Sequence, residues 1–548
     1  MNSFKPMLLT SLKSYDRAQF AKDVTAGIIV AIIALPLSIA LALASGVGPE
    51  AGIFTAIVAG FVISALGGSC VQIAGPTAAF ATIVAGIVAR DGLEGLMTAT
   101  ILAGVFLIIM GFCHFGSLIK FIPYTITTGF TSGIAVTIVI GQLKDFCGIT
   151  YPDGVKPIET MEKLKAFAEN FSTISPDALI VGGVSLAILI VSPLIFKKIP
   201  GSLIAVIAGI LMVQFLPLHV STIGNLYTIS NALPTLHLPV FDMKLIQSAI
   251  PNAFTIAVLA AIESLLSCVV ADGMINSKHR SDTELIAQGA GNIASALFGG
   301  IPATGAIART AANIKNGGRT PVAGMVHSIT LVIVLVVLMP FAGMIPMPTI
   351  AAILFLVAYN MCQWRTFVHL VRTAPKSDII VLFTTFVLTV VFDLVVAIEI
   401  GMVLACLLFI KRMSEETHAD SWVYVDDDSP AVDEHLQKLP LEIRVYEITG
   451  PLFFGAADAI EHIVVKDFTK CLVLRMRSVP AIDSTAMNAL QNLTKLCESK
   501  GITLVFSHVN EQPMKVMKKS GFVELVGEEN FCANILDALK HAEELISR

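Results

Sequence analysis

The sequence predicts a multi-spanning all-α membrane domain followed by a small α/β domain. Three observations carry that reading: composition, the spacing of charges, and a change of pattern after Arg412. The 548 residues are 55% hydrophobic and only 14% charged, with a mean hydropathy of +0.80. A soluble chain needs more polar surface than that. The net charge of -5 gives no sign of a nucleic-acid partner. Nine cysteines are scattered without paired spacing, which suits reduced, buried thiols better than disulfides or a metal site. The first apolar run is too long for a cleavable signal peptide and lacks a cleavage site before a soluble body.

Charges leave long gaps. None lies between Asp23 and Glu50, Glu50 and Arg90, Lys198 and Asp242, or Arg319 and Arg365. About 20 apolar residues cross a bilayer, so the longer gaps each hold two crossings. The first seven segments are expected near 24–45, 52–67, 76–89, 95–113, 117–143, 178–196 and 202–217. The second seven are expected near 248–271, 283–298, 304–315, 321–340, 347–361, 377–392 and 394–410. This divides the chain into an N-terminal segment 1–23, a membrane domain 24–412, a polar, acidic linker 413–439 with Asp426-Asp427-Asp428, and an α/β domain 440–548. In that last part 443–448, 471–475 and 502–507 read as strands, and 484–499, 512–520 and 533–546 as helices.

Fourteen segments put both termini on one side, and basic residues make that side cytoplasmic. The inside loops then hold Lys120, Lys197, Lys198, Lys278, Arg280, Lys315, Arg319, Arg365, Arg372 and Lys376, with Lys411 and Arg412 closing the last segment. The outside loop 144–177 runs against the pattern with Lys144, Lys156, Lys163 and Lys165. Long loops obey the rule less strictly.

Two segments are too short to span. Pro76 to Ala89 is 14 residues and Thr304 to Lys315 is 12, or about 21 and about 18 Å of helix, against about 30 Å of hydrocarbon. Each is third in its half and follows a glycine-containing extended stretch, 69–75 and 299–303. Short, Gly/Pro-interrupted segments at matching places point to an inverted repeat and to a binding site between them. Thr77, Ala78, Ala79 and Phe80 open one half-helix, and Thr304, Gly305 and Ala306 the other. Free N–H groups and the helix dipole suit an anion there, and small side chains let it approach. The alternative is that small residues only permit tight helix packing.

Glu263 is the only charged residue between Lys244 and Asp272. A carboxyl in mid-membrane is costly, desolvation favours its neutral form, and a carboxyl that changes protonation is what proton coupling needs. Its alternative role is a permanently protonated structural group. Arg309, read as a turn and a half into the second half-helix, is a candidate counter-charge. It could equally snorkel or pair with Glu263. Asp272, Asp393 and Glu399 sit at segment ends, where solvation or capping is the default. Asp483 is an expected N-cap, and Ser484 beside it is a regulatory phosphorylation candidate, although capping alone accounts for the pattern.

These stretches resemble the sulfate permease (SulP) family. The similarity lies in Ala34-Leu35-Pro36, Ile73-Ala74-Gly75-Pro76-Thr77-Ala78-Ala79-Phe80, Gly300-Ile301-Pro302-Ala303-Thr304 and Ala306-Ile307-Ala308-Arg309-Thr310. The C-terminal part resembles a STAS domain, with Asp483-Ser484 at the turn seen in anti-sigma-factor antagonists. Ile262-Glu263-Ser264-Leu265-Leu266 and Gly450-Pro451-Leu452-Phe453-Phe454 look most like the family's bacterial dicarboxylate transporters. The resemblance implies a 7+7 inverted repeat split into core and gate domains, a homodimer in a bacterial inner membrane, and an anion site between helices 3 and 10 facing helices 1 and 8. It implies sulfate, bicarbonate, chloride or dicarboxylates as cargo, no cofactor, and a STAS domain open to a cytoplasmic partner. Some sodium-coupled bicarbonate members carry Asp where this chain has Glu263, so Glu263 favours protons. Some animal relatives have an aromatic residue at the positions of Leu41 and Thr77 and a serine at that of Ala308, so this site is expected to be roomier.

A proton-coupled anion symporter is thus expected. An uncoupled channel or exchanger and a nucleobase carrier are the alternatives; an enzyme is not expected, because no nucleophile–base pair or metal set is visible. Every candidate site residue in the membrane domain precedes Lys315. Removal of residues 440–548 should therefore leave substrate binding intact, which a binding assay on the truncated, monodisperse protein checks.

Overall fold

A computed structural model describes residues 4–117, 122–152, 157–196, 200–239, 242–392, 394–421, 439–456, 458–461, 463 and 468–547. The chain divides into two compact units, Met1–Met402 and Val403–Arg548. Of the residues singled out above, Lys120, Lys156, Lys197, Lys198, Asp393 and Asp426-Asp427-Asp428 lie outside the described residues.

The first half of the membrane unit holds α1 Arg17–Ala44, α2 Pro49–Leu66, α3 Ala81–Phe112, α4 Tyr124–Cys147, α5 Pro176–Ile195 and α6 Gly201–Phe215. The second half holds α7 Met243–Ile275, α8 Ser281–Leu297, α9 Ile307–Lys315, α10 Val322–Ala342, α11 Met347–Cys362, α12 Trp364–Thr373, α13 Lys376–Val391 and α14 Leu394–Glu415. Helix α3 contains two expected segments. Gly92, at φ 70° and ψ -168°, breaks the helical dihedrals between them, a backbone state that favours glycine. With α3 counted as two and the ten-residue α12 set aside, the described residues supply the fourteen expected segments.

Boundaries differ where local chemistry decides them. The fifth segment, expected at 117–143, is Tyr124–Cys147, because Pro123 caps its start and Gly148 in the left-handed region ends it. The first starts earlier, at Arg17, because the Asp16 carboxylate accepts from Gln19 N at 2.7 Å. The loop 144–177, expected outside against the charge pattern, contains the helix Thr160–Glu169, where Lys165 lies 3.9 Å from Glu169.

The helices pack in two groups, each drawing on both halves. In one, α3 packs on α7 and α8, while α10 packs on α1 and α2. Exchanging the halves turns the first set of contacts into the second, as an inverted repeat requires. In the other, α4 packs on α11 and α13, and α11 on α5. These are the core and gate groups. Inside the core, α3 and α8 approach until each backbone blocks the other: a Cβ on Gly104 would lie 2.6 Å from the Gly289 carbonyl oxygen. Such contact is how helices associate where lipid is as apolar as leucine.

The second unit contains a five-stranded sheet. Its strands are β3 His418–Ser421, β4 Ile443–Thr449, β5 Cys471–Ser478, β6 Thr503–Ser507 and β7 Phe531–Cys532, adjacent in that order. Only β3–β4 is antiparallel. Alternation along β5 sends Leu472, Leu474 and Met476 into a core with helix α15 Ser484–Ser499, and Cys471 and Val473 into a core with helix α16 Ile535–Ser547. The expected linker 413–439 is therefore partly structured: α14 runs to Glu415 and β3 forms the sheet edge. The polar His418-Ala419-Asp420-Ser421 run carries no apolar alternation to announce a strand. The Asp483 carboxylate accepts from Ala486 N at 2.9 Å and from Phe454 N at 2.8 Å, and Ser484 is exposed. The nine cysteines are free thiols. Burial pushes that of Cys471 up to about 12 and that of Cys497 up to about 11.

Gly104→Val should lower the stability of the purified membrane protein by roughly 1–3 kcal/mol through overpacking. Thermal unfolding followed by size-exclusion recovery measures it, with Gly183→Val, where a Cβ meets open space, as the neutral control.

Candidate functional site

Between α2 and α3, and again between α8 and α9, the chain leaves helical geometry inside the core. Two short strands meet there: β1 Ala74–Gly75 pairs antiparallel with β2 Thr304–Gly305. Backbone outside a helix at membrane depth costs several kcal/mol per unpaired group unless the protein supplies partners. Ala306 N donates to Ile73 O at 2.9 Å, and Ile73 N to Thr310 Oγ1 at 3.0 Å. Asn292 holds Ala303 from both sides, with its Nδ2 donating to the Ala303 oxygen at 2.9 Å and its Oδ1 accepting from the Ala303 nitrogen at 2.8 Å. Asn313 Nδ2 donates to Val71 O at 2.9 Å, and Ile301 N donates to Thr55 Oγ1 at 2.7 Å.

The crossing strands aim two helix starts at the same region. The first is the turn Ala78–Phe80 leading into α3; the second is α9, capped by Ala306. Thr77 is half-buried and its Oγ1 donates to Glu263 Oε2 at 3.0 Å. The mid-membrane carboxyl of α7 thus reaches the mouth of the first half-helix. Ala78, Ala79 and Phe80 are buried. Ala306 is half-buried, and Ile307 and Ala308 are exposed. The accessible face of the site is therefore Thr77, Glu263, Ala306, Ile307 and Ala308.

Three expectations about the second half-helix change. Gly305 N donates to Ser264 Oγ at 3.0 Å, and the Thr304 hydroxyl meets Ser264 Oγ at 2.7 Å. With Ala306 N bound to Ile73, neither Gly305 nor Ala306 offers a free amide, and Thr304 is fully buried. Because Thr304 and Gly305 are strand, α9 begins at Ile307, and Arg309 lies in its first turn rather than a turn and a half in. Within α9, the first-turn amides of Ile307, Ala308 and Arg309 are the ones without an intrahelical acceptor.

Arg309 is 1% exposed, so it does not snorkel. Its Nη2 donates to Pro76 O at 3.1 Å and to Ser38 Oγ at 3.4 Å. Its Nη1 packs where a Cβ on Gly75 would stand. The side chain of one half-helix therefore grips the start of the other and touches α1. No ion pair joins it to Glu263 among the described residues, and its Nε and Nη1 are buried without a hydrogen-bond partner there. The clamp residues Thr55, Ser264, Asn292, Thr310 and Asn313 were not singled out from sequence. A polar side chain inside an apolar segment, clearest for Asn292, was the available signal. No group of three metal-binding side chains occurs among the described residues.

Two crossed half-helices at the centre of an inverted repeat, with a buried guanidinium behind them, define a multi-pass membrane carrier of anions. The sulfate permease family matches residues 20–385 and the STAS domain residues 438–538. This chain belongs to the sulfate permease family. It is 38% identical to the putative sulfate transporter YvdB of Bacillus subtilis, over 95% of this chain and 97% of that one. It is 32% identical to the bicarbonate transporter BicA of Picosynechococcus, over 95% and 94%. Among solved structures, the transmembrane domain of a cyanobacterial BicA superposes with a TM-score of 0.62 at 30% identity, covering 71% of this chain and 98% of that one. The overall structure of SLC26A9 shares the fold, with a TM-score of 0.86 at 20% identity over 99% and 93%.

Gly75→Ala should displace the Arg309 guanidinium and weaken anion binding at least several-fold, while Gly75→Ala with Arg309→Lys should fold better than Gly75→Ala alone. Binding isotherms and melting curves on the three proteins decide this.

Proposed function

We propose that this protein is a proton-coupled symporter of small dianions, with sulfate or a four-carbon dicarboxylate such as succinate or fumarate as cargo. The observation that carries the reading is the Thr77–Glu263 hydrogen bond. It sets a titratable carboxyl against the helix end where an anion would dock. Ionised, Glu263 repels the anion electrostatically; protonated, it leaves the half-helix dipoles and Arg309 unopposed. Two helix ends at about +0.5 each and one guanidinium give roughly +2, the charge a dianion balances. The putative sulfate transporter of Bacillus subtilis supports a dianion. Bicarbonate is the second reading, favoured by the likeness to BicA. Both termini are taken as cytoplasmic and the assembly as a homodimer, with Ser484 the exposed residue of the STAS domain for phosphorylation or a partner.

Glu263→Gln has nearly the shape of protonated Glu and cannot ionise. Anion binding should persist, labelled-for-unlabelled exchange should largely survive, and net uptake driven by a pH gradient in liposomes should collapse. Gradient-driven acceleration equal to wild type would end the proton-coupling role. In competition assays, sulfate, succinate and fumarate should displace one another, whereas displacement by bicarbonate and other monoanions alone would favour the second reading.

A further inference from the structure

Helix α12 belongs to neither the membrane core nor the soluble domain, and its sequence, Trp364-Arg365-Thr366-Phe367-Val368-His369-Leu370-Val371-Arg372-Thr373, contains no acid. We propose that α12 is an in-plane binding surface for anionic phospholipid, with Arg365 and Arg372 contacting the headgroup phosphates.

Its place follows from the chain. One residue, Gln363 at φ 44°, separates α12 from the spanning helix α11, and only Ala374 and Pro375 separate it from α13. A ten-residue helix tied so closely to two spans cannot leave the bilayer boundary. Phe367 fixes its depth: its ring lies 5.6 Å from that of Phe383 and 5.5 Å from that of Phe386. Phe383 is about 10 Å along α13 from Lys376, the depth at which in-plane amphipathic helices bury their apolar side.

The faces of α12 sort in the order a bilayer surface requires. At about 100° per residue, Phe367 and Leu370 share one side and are half-buried against the protein. Trp364 and Val368, both exposed, come next round the helix; then Arg365, His369 and Arg372 at i, i+4 and i+7, all exposed; then Thr373. Protein, hydrocarbon, phosphate and water are met in turn. The Arg365 guanidinium stands 5.5 Å over the Trp364 ring, and Trp364 Nε1 donates to Tyr359 OH at 3.3 Å, an arrangement suited to the headgroup level. Neither arginine has an acidic partner among the described residues. Both therefore stay available to an anionic surface, whose attraction is on the order of five-fold per basic residue. Since α12 packs on α4 and α13 of the gate, lipid charge acts on that group of helices.

Trp364 supplies the test, because Trp422 is the only other tryptophan. The full chain with Trp422→Phe is reconstituted in phosphatidylcholine vesicles carrying equal small fractions of brominated phosphatidylglycerol or brominated phosphatidylcholine. Brominated phosphatidylglycerol should reach half-quenching of Trp364 at a several-fold lower mole fraction. Raised salt should shrink the difference, Arg365→Gln with Arg372→Gln should abolish it, and Arg365→Lys with Arg372→Lys should retain most of it. Equal quenching by the two lipids, or a preference that survives both glutamine substitutions at low salt, would overturn the proposal; absence of quenching by either would place α12 away from the bilayer and overturn it too.

Discussion

The antiparallel contact of Ala74–Gly75 with Thr304–Gly305 is the constraint on which the membrane domain depends. Without it the chain has two interrupted helices in hydrocarbon, each with unpaired amides and carbonyls at a cost of several kcal/mol apiece. The pairing meets part of that demand, and Thr55, Asn292, Thr310 and Asn313 meet more of it with side chains. The core is tightly packed around the crossing because those side chains must reach it from α2, α8 and α9. The close approach of Gly104 and Gly289 is the same requirement expressed one layer out.

Chemistry follows from where the strands stop. Because they end at Gly75 and Gly305, the helices that follow start in the middle of the protein and not at its surface. Arg309 then falls in a first turn, within reach of Pro76 O. A guanidinium this deeply buried is tolerable only if it is held by hydrogen bonds and answered by charge. Two of its nitrogens lack hydrogen-bond partners among the described residues, and the proposed anion site draws on them. Glu263, on the accessible side, answers to a different demand: it is half-buried, and its carboxyl accepts from Thr77 at the start of the first half-helix.

Much of this was legible in residue order. The charge gaps located the segments, since a charge in hydrocarbon is costly wherever the chain runs. The short segments after Gly75 and Ala303 identified the interrupted helices by length alone. Glu263 stood out for the same reason. What sequence could not supply was register in space. Thr304 to Lys315 reads as one helix, and only the partner strand 230 residues away turns Thr304 and Gly305 into a strand and moves Arg309 to the first turn. Asn292 and Asn313 look like ordinary polar interruptions until the backbone they serve is beside them. From sequence, α12 reads as a basic inside loop, because Arg365 and Arg372 are counted together with Lys376, which opens α13, without the 3.6-residue period that sets both arginines and His369 on one face.

The contact between Gly75 and Arg309 also ties the two halves of the chain together in what each can vary. Two repeats can differ freely wherever they do not touch, but a methyl group at position 75 of the first would meet the Arg309 guanidinium of the second. A side chain at 75 would displace the cation at 309, so bulk on one arm is coupled to the placement of charge on the other.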